Sequence, residues 1–179
     1  GMKDLVKSSK KYLKNLKSKN VLDIGCNDGT LLSLFKKEGC KTFGVEPTKA
    51  AIEAKKKGHI IFKEYFDKTS SKNIKKKIGN IDIITFTNVF AHIEDLQDLL
   101  FSLKNISNKN TLIIIENHYL GEVIKKTQFD TFYHEHPRTY SLKSFVNISK
   151  KINIDLIDFK FVKRYNGNIR VYLKNSGKI

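Results

Sequence analysis

Val21-Leu22-Asp23-Ile24-Gly25-Cys26-Asn27-Asp28-Gly29 is the stretch whose reading decides the fold. A short apolar run closes on a glycine-containing turn, and Leu31, Leu32 and Phe35 follow at helical spacing, so the segment reads as strand, turn, helix. Glycines there allow positive φ and close approach of a ligand to the backbone, while the start of the helix offers N–H groups with no partner of their own. Thr42-Phe43-Gly44-Val45 gives a second strand that ends in Glu46. An acid about 20 residues after such a turn is placed to bind ribose hydroxyls.

The dinucleotide form of this geometry needs Gly-x-Gly-x-x-Gly, and that pattern fails here. Counting from Gly25, the second and third glycine positions hold Asn27 and Thr30. Carboxylates at Asp23 and Asp28 would repel a diphosphate and suit a cationic amino-acid ligand. S-adenosylmethionine meets both requirements, an amino-acid end for the turn and a nucleoside for Glu46. Gly25, Asn27 and Gly29 are expected to shape the turn around the methionine end. Asp23 would orient the turn or hold the amino group, with Asp28 beside it and Glu46 on the ribose.

Alternating patterns along the rest of the chain point to an α/β fold. Segments near 20 to 25, 41 to 46, 59 to 63, 81 to 87 and 111 to 117 are strand-like, with helical patterns between them. Ile93, Leu96, Leu99, Leu100, Leu103 and Ile106 form a helical stripe that reads as core packing. A first helix carries Leu5, Val6, Leu13 and Leu16, and a late one Leu142, Phe145, Val146 and Ile152. Two final strands, near 154 to 163 and 168 to 173, are joined by Tyr165-Asn166-Gly167, where Asn-Gly signals a hairpin.

A second cluster concerns chemistry. Tyr133-His134-Glu135-His136 places a phenol, two imidazoles and a carboxylate in four consecutive positions, directly before Pro137. Proline favours a loop at this point, and the side chains are suited to general acid/base work. Two other readings stay open from the residues alone. His134 and His136, with His118 or His92 folded back, resemble a zinc ligand set, although no His-Glu-x-x-His pattern occurs. A structural loop, in which both histidines satisfy buried backbone carbonyls, is the other. No metal site is assigned, and His59 and His118 carry no further signal.

With these residues in hand the chain resembles the S-adenosylmethionine-dependent methyltransferases, and among them the sugar C-methyltransferases that act on nucleotide-linked keto-deoxysugars. The resemblance rests on Ile24 to Leu32, Gly44 to Pro47, Asn88-Val89 with Ala91-His92, and Phe129 to His136, and extends to Asn166-Gly167-Asn168-Ile169-Arg170-Val171-Tyr172. It implies a Rossmann-like class I methyltransferase fold, a mostly parallel seven-stranded sheet with an antiparallel last strand and helices on both faces. It also implies His136 as the base that removes a proton beside a keto group, with Tyr133, Glu135 and His92 ordering base and substrate, and His134 able to exchange roles with His136. Glu64 would accept from the adenine amino group, and Asn88 would face the reacting centre. Members of that family usually carry an N-terminal zinc module bound by four cysteines and a further C-terminal domain. Cys26 and Cys40, the two cysteines here, lack the spacing for such a module and read as unrelated thiols.

A chain of 179 residues without a Pro/Gly/Ser-rich linker is expected to form one domain over 1–179, with Gly1 ahead of Met2 read as a cloning remnant. The absence of a signal-like or membrane-spanning pattern leads to the expectation of a cytoplasmic protein. The net charge of +16 raises nucleic acid as a partner, yet of the 34 basic residues only Arg138, Arg164 and Arg170 are arginine, the usual tool for bidentate phosphate recognition. The lysine runs at Lys55 to Lys57 and Lys75 to Lys77 fall on expected helix ends, as a solvated face would place them. A small-molecule substrate, a nucleotide-linked sugar attracted by the basic surface, is the expected partner. Methylation at oxygen or nitrogen of another small molecule, and a cofactor-binding domain without catalysis, are the alternatives.

Overall fold

A computed structural model describes residues 1–132, 134, 136–164 and 167–175. Seven strands run in the order β1 (Asn20–Ile24), β2 (Lys41–Val45), β3 (Ile60–Phe62), β4 (Ile83–Thr87), β5 (Leu112–His118), β6 (Asp155–Val162) and β7 (Asn168–Lys174). The helices are α1 (Met2–Leu13), α2 (Thr30–Lys37), α3 (Ala51–Lys56), α4 (Lys68–Ile78), α5 (Leu96–Ile106), α6 (Leu120–Lys125) and α7 (Leu142–Ile152), with short 3₁₀ turns at Phe90–His92 and Phe129–Thr131.

The strands form one sheet in the order β3-β2-β1-β4-β5-β7-β6. Pairs from β3 through β5 are parallel, and β7 lies antiparallel between β5 and β6. The expected class I architecture, with a single strand reversed, is therefore present. Strand order reverses between β1 and β4, and ligands of open α/β sheets bind beyond the carboxyl ends of the strands at such a switch point.

Strict alternation within each strand explains why both faces are covered. Leu22 and Ile24 of β1, Ile84 and Phe86 of β4, and Ile113 and Ile115 of β5 join one buried cluster with residues of α4, α5 and α7. Val21, Ile83, Leu112 and Ile114 turn to the other face, against Leu5 and Val6 of α1, Leu31, Leu32 and Phe35 of α2, and Ala54 of α3. A strand buried on both sides reads as a continuous apolar run, as Leu112 to Ile115 does.

Some boundaries differ from the periodicity. Ile93 belongs to the helical stripe by spacing but follows the 3₁₀ turn, because Asp95 caps α5 by accepting from the Asp98 N–H and so fixes the helix start after it. Leu16 lies past the end of α1, yet it is buried with the same cluster. Helix α6 was not legible as a separate element. Gly167 N–H donates to Arg164 O at 3.0 Å between β6 and β7, while Tyr165 and Asn166 of the expected hairpin turn lie outside the described residues. Cys26 and Cys40 are buried free thiols. Among the described residues no helix is long and apolar enough to cross a membrane.

Candidate active site

The turn after β1 is built by backbone conformations that few residues adopt. Gly25 has φ +69°, and a Cβ there would lie 2.4 Å from a methyl of Val89. Asn27 takes φ +51°, and Gly29, at φ +74°, starts α2. In β2, a Cβ on Gly44 would meet Cys26 Sγ at 2.4 Å, so the second strand needs glycine for the turn to pack against it.

Three carboxylates surround this turn in different environments. Asp23 is buried, accepts from Thr85 Oγ1 at 2.6 Å and has its pKa pushed up to about 7, by burial first and by the nearby Glu46 charge against the hydroxyl's help. Glu46 is also buried; its Oε2 accepts from the Asn27 N–H at 3.0 Å and its Oε1 from the Thr48 N–H at 2.9 Å. Asp28 is more exposed and binds Lys57 Nζ at 2.7 Å together with Thr30, which hold its carboxyl below the usual range.

An open cavity of about 1380 Å³ lies at the carboxyl ends of β1, β2 and β4. Asp23, Gly25, Asn27, Asp28, Glu46, Asn88 and His92 line it, so seven of the expected site residues share one concave surface. Gly29 and Glu64 are not among the lining residues; next to Glu64, Tyr65 and Phe66 are. Gly29 instead packs against His59 and Ala54, and a Cβ there would meet the His59 ring at 2.7 Å. The cavity fits an S-adenosyl ligand chemically: a buried carboxyl at Asp23 that a cation would ionise, a second acid at the end of β2, and the Tyr65 and Phe66 rings in the lining.

Asn88 follows β4 at φ +55° and is held by two bonds: its N–H donates to Glu116 O at 2.8 Å, and its Oδ1 accepts from Asn168 Nδ2 at 2.9 Å. Behind it Glu116, fully buried, accepts from the equally buried Arg170 at 2.6 and 2.7 Å, and Arg170 reaches Asp4 of α1 at 2.8 Å. Sequence reasoning missed this network. Its signal was a charged residue at the end of an apolar strand, Glu116 after Ile113-Ile114-Ile115, facing another in Arg170.

The histidines converge from three separate segments. His136 Nε2 stands 3.2 Å from His92 Nε2, and His136 Nδ1 stands 3.0 Å from Thr131 O. The ring of His118, at the end of β5, is 5.6 Å from that of His136, centroid to centroid. Burial, then the neighbouring His136 and His92, hold His118 below the ordinary histidine range. His118 therefore belongs to the cluster, as does His92; the sequence raises His118 only as a third ligand in the zinc alternative. His134 is exposed in a turn, and Tyr133 and Glu135 lie outside the described residues. Among the described residues no group of three or more His, Cys, Asp or Glu is arranged to hold a metal ion.

A family model described as a methyltransferase domain matches residues 2–158. C-methyltransferase NovU of Streptomyces niveus is 28% identical over 153 residues, which cover 85% of this chain and 36% of that protein. The chain thus spans little more than a third of that relative's length. Ubiquinone biosynthesis O-methyltransferase of Pelagibacter ubique is 26% identical over 183 residues, covering 97% of this chain and 73% of that one. Among solved structures, magnesium protoporphyrin IX methyltransferase from Synechocystis PCC 6803 with bound SAH superposes with a TM-score of 0.71 at 15% identity, covering 96% of this chain and 83% of that chain. A SAM-dependent methyltransferase from Archaeoglobus fulgidus has the same TM-score at 17% identity, covering 96% and 94%. At those identities the structural likeness speaks to the fold alone.

Proposed function

This chain belongs to the methyltransferase domain family, and from that premise we propose that it transfers a methyl group from S-adenosylmethionine to a small molecule, at a carbon of a nucleotide-linked keto-deoxysugar. The observation that carries this reading is the facing pair of His92, which lines the cavity, and His136, whose Nε2 stands 3.2 Å from that of His92. A carbon beside a keto group becomes nucleophilic only when its proton is removed, and an imidazole suits that task near neutral pH.

Thr131 O accepts a hydrogen bond, so His136 keeps its hydrogen on Nδ1 and directs a basic Nε2 at His92. A proton taken from the substrate at His92 then passes to His136 without leaving the pair. Asn88, fixed by Glu116 and Asn168, is placed to position the substrate oxygen on which the enolate charge develops. When bound, S-adenosylmethionine supplies an electrophilic methyl group; Asp23, the Gly25–Asn27 turn and Glu46 would hold it. General-base action of this kind contributes on the order of 10² to 10⁴ in rate.

The C-methyltransferase relative supports this reading, whereas the ubiquinone O-methyltransferase relative, which matches more of both chains, favours methylation at oxygen. Isotopically labelled S-adenosylmethionine, offered with a panel of nucleotide-linked keto-deoxysugars and phenols, separates the two. Label on a sugar carbon is expected. Label found only on phenolic oxygen would replace the first reading with the second.

A further inference from the structure

The charges that line the cavity are unevenly placed. Asp23 and Asp28 lie on β1 and the turn after it, Glu46 follows β2, and Glu94 comes after the 3₁₀ turn that carries His92. Among the described residues that line the cavity, Arg164 is the single side chain that stays cationic across the working pH range. It enters from another part of the sheet, just past the end of β6, where the Gly167 N–H donates to its carbonyl at 3.0 Å. Its Nη1 stands 3.6 Å from Glu116 Oε1, which draws the guanidinium to the end of β5.

Glu116 orients Arg164 without taking it up. Its Oε2 is held by Arg170, at 2.7 Å from Nε and 2.6 Å from Nη2, while 3.6 Å is beyond hydrogen-bond distance for the Arg164 contact. The same carboxylate ties in Asn88, because Asn168 Nδ2 bridges Asn88 Oδ1 at 2.9 Å and Glu116 Oε1 at 3.4 Å. With Oδ1 used as the acceptor, the Asn88 amide keeps its Nδ2 as a donor. A guanidinium and an amide are thus attached to one buried carboxylate and line one cavity, with His92 in the same lining.

We propose that Arg164 and Asn88 form the site for a negatively charged oxygen of the methyl acceptor. An enolate whose carbon is methylated and a phenolate that is itself methylated both present such an oxygen, and a guanidinium stabilises the charge on either. The division of charge suits methyl transfer: the acids attached to β1 and β2 match a cationic donor, and the arginine and amide attached to β5 and β4 match an anionic acceptor. The proposal rests on the cavity being a methyltransferase site, and not on whether carbon or oxygen takes the methyl group.

The probe is 4-nitrophenol, whose anion absorbs visible light and whose neutral form does not. Titrated in protein saturated with S-adenosylhomocysteine, the bound phenol is expected to ionise at a pH about 1 to 3 units lower in the parent than in Arg164→Gln, the effect of an opposite charge close by. Arg164→Lys keeps the charge and should retain part of that difference. Because Arg170 still holds Glu116, both variants should melt near the parent and bind S-adenosylhomocysteine as it does. Arg164→Gln should also lose roughly 10² to 10³ in turnover of whichever acceptor, sugar or phenol, the parent methylates. Equal ionisation in the parent and Arg164→Gln overturns the proposal. So does a parent that binds no nitrophenolate at millimolar concentration, or in which the bound phenol ionises no more readily than in free solution, whatever the variants do. Parent affinity for S-adenosylhomocysteine, measured in the same samples, keeps the methyltransferase reading separate from that failure.

Discussion

His136 turns its Nε2 to within 3.2 Å of His92 Nε2 while its Nδ1 faces Thr131 O at 3.0 Å. A carbonyl oxygen only accepts, so the proton on Nδ1 is fixed and a single hydrogen lies between the two Nε2 atoms. On the proposed reading the pair acts as one proton acceptor with two sites, and His92 lines the cavity. His136→Asn is therefore expected to bind S-adenosylmethionine with parent affinity and lose turnover by roughly 10² to 10⁴. His92→Asn should match it, and the double variant should lose little more than either single one, since residues acting as a unit are not additive. Calorimetry and single-turnover rates check this, and full activity in His136→Asn would remove it as the base.

Asp23 gives a pH dependence with a definite sign. Its folded pKa of about 7 stands above the ordinary carboxylate value, so the fold favours its protonated form. Stability of the ligand-free protein is then greatest at low pH and falls as pH rises from about 4 to 7, on the order of a few kcal/mol at most. Binding a cation requires the ionised form, so cofactor affinity should climb over the same range. Asp23→Asn should flatten both trends and weaken binding. Thermal melts and calorimetry at several pH values measure this, and a parent affinity independent of pH would take Asp23 out of contact with the ligand's amino group.

Glu46 has both a structural and a proposed binding role. Its two oxygens accept from the N–H groups of Asn27 and Thr48, so Glu46→Ala removes two part-buried hydrogen bonds at a cost of about 1–3 kcal/mol. Cofactor affinity should fall by more than tenfold in addition. Glu46→Gln, which keeps an acceptor, should recover most of the stability and less of the affinity. Parent-like calorimetric affinity in a folded Glu46→Ala would exclude the ribose contact.

Gly25→Ala should destabilise the domain and close the turn, because φ +69° is strained for alanine and the new methyl would sit 2.4 Å from Val89. Roughly 1–3 kcal/mol is the expected conformational cost. Adding Val89→Ala should relieve the contact but not the φ strain, so the double variant should melt between Gly25→Ala and the parent. A single variant as stable as the parent would contradict this account of the turn.

The sheet was legible because each strand is a short apolar run bounded by turn residues, as Val21 to Ile24 before Gly25 shows. The positions of the glycine turn and of Glu46 at the end of β2 were legible because both depend on local spacing. The Arg170–Glu116 pair was not, since the two lie far apart in sequence and meet only through strand register, and His118 was raised beside His136 only as a possible zinc ligand because nothing local brings them together. Thr85 was missed for the same reason: it reaches Asp23 because β1 and β4 pair Asp23 with Thr85. Glu64, assigned by resemblance, is not among the cavity-lining residues, whereas Tyr65 and Phe66, which follow it in the chain, are.

Solvent-deuterium exchange at the carbon beside the keto group of a nucleotide-linked keto-deoxysugar, measured by NMR with S-adenosylhomocysteine in place of the methyl donor, tests the central claim most directly. Proton removal then runs without methyl transfer. The expected result is deuterium incorporation at one carbon that the parent protein catalyses and His136→Asn does not. No catalysed exchange across the panel, in a protein that binds S-adenosylhomocysteine and methylates a phenolic oxygen, would contradict carbon methylation while leaving the methyltransferase domain intact.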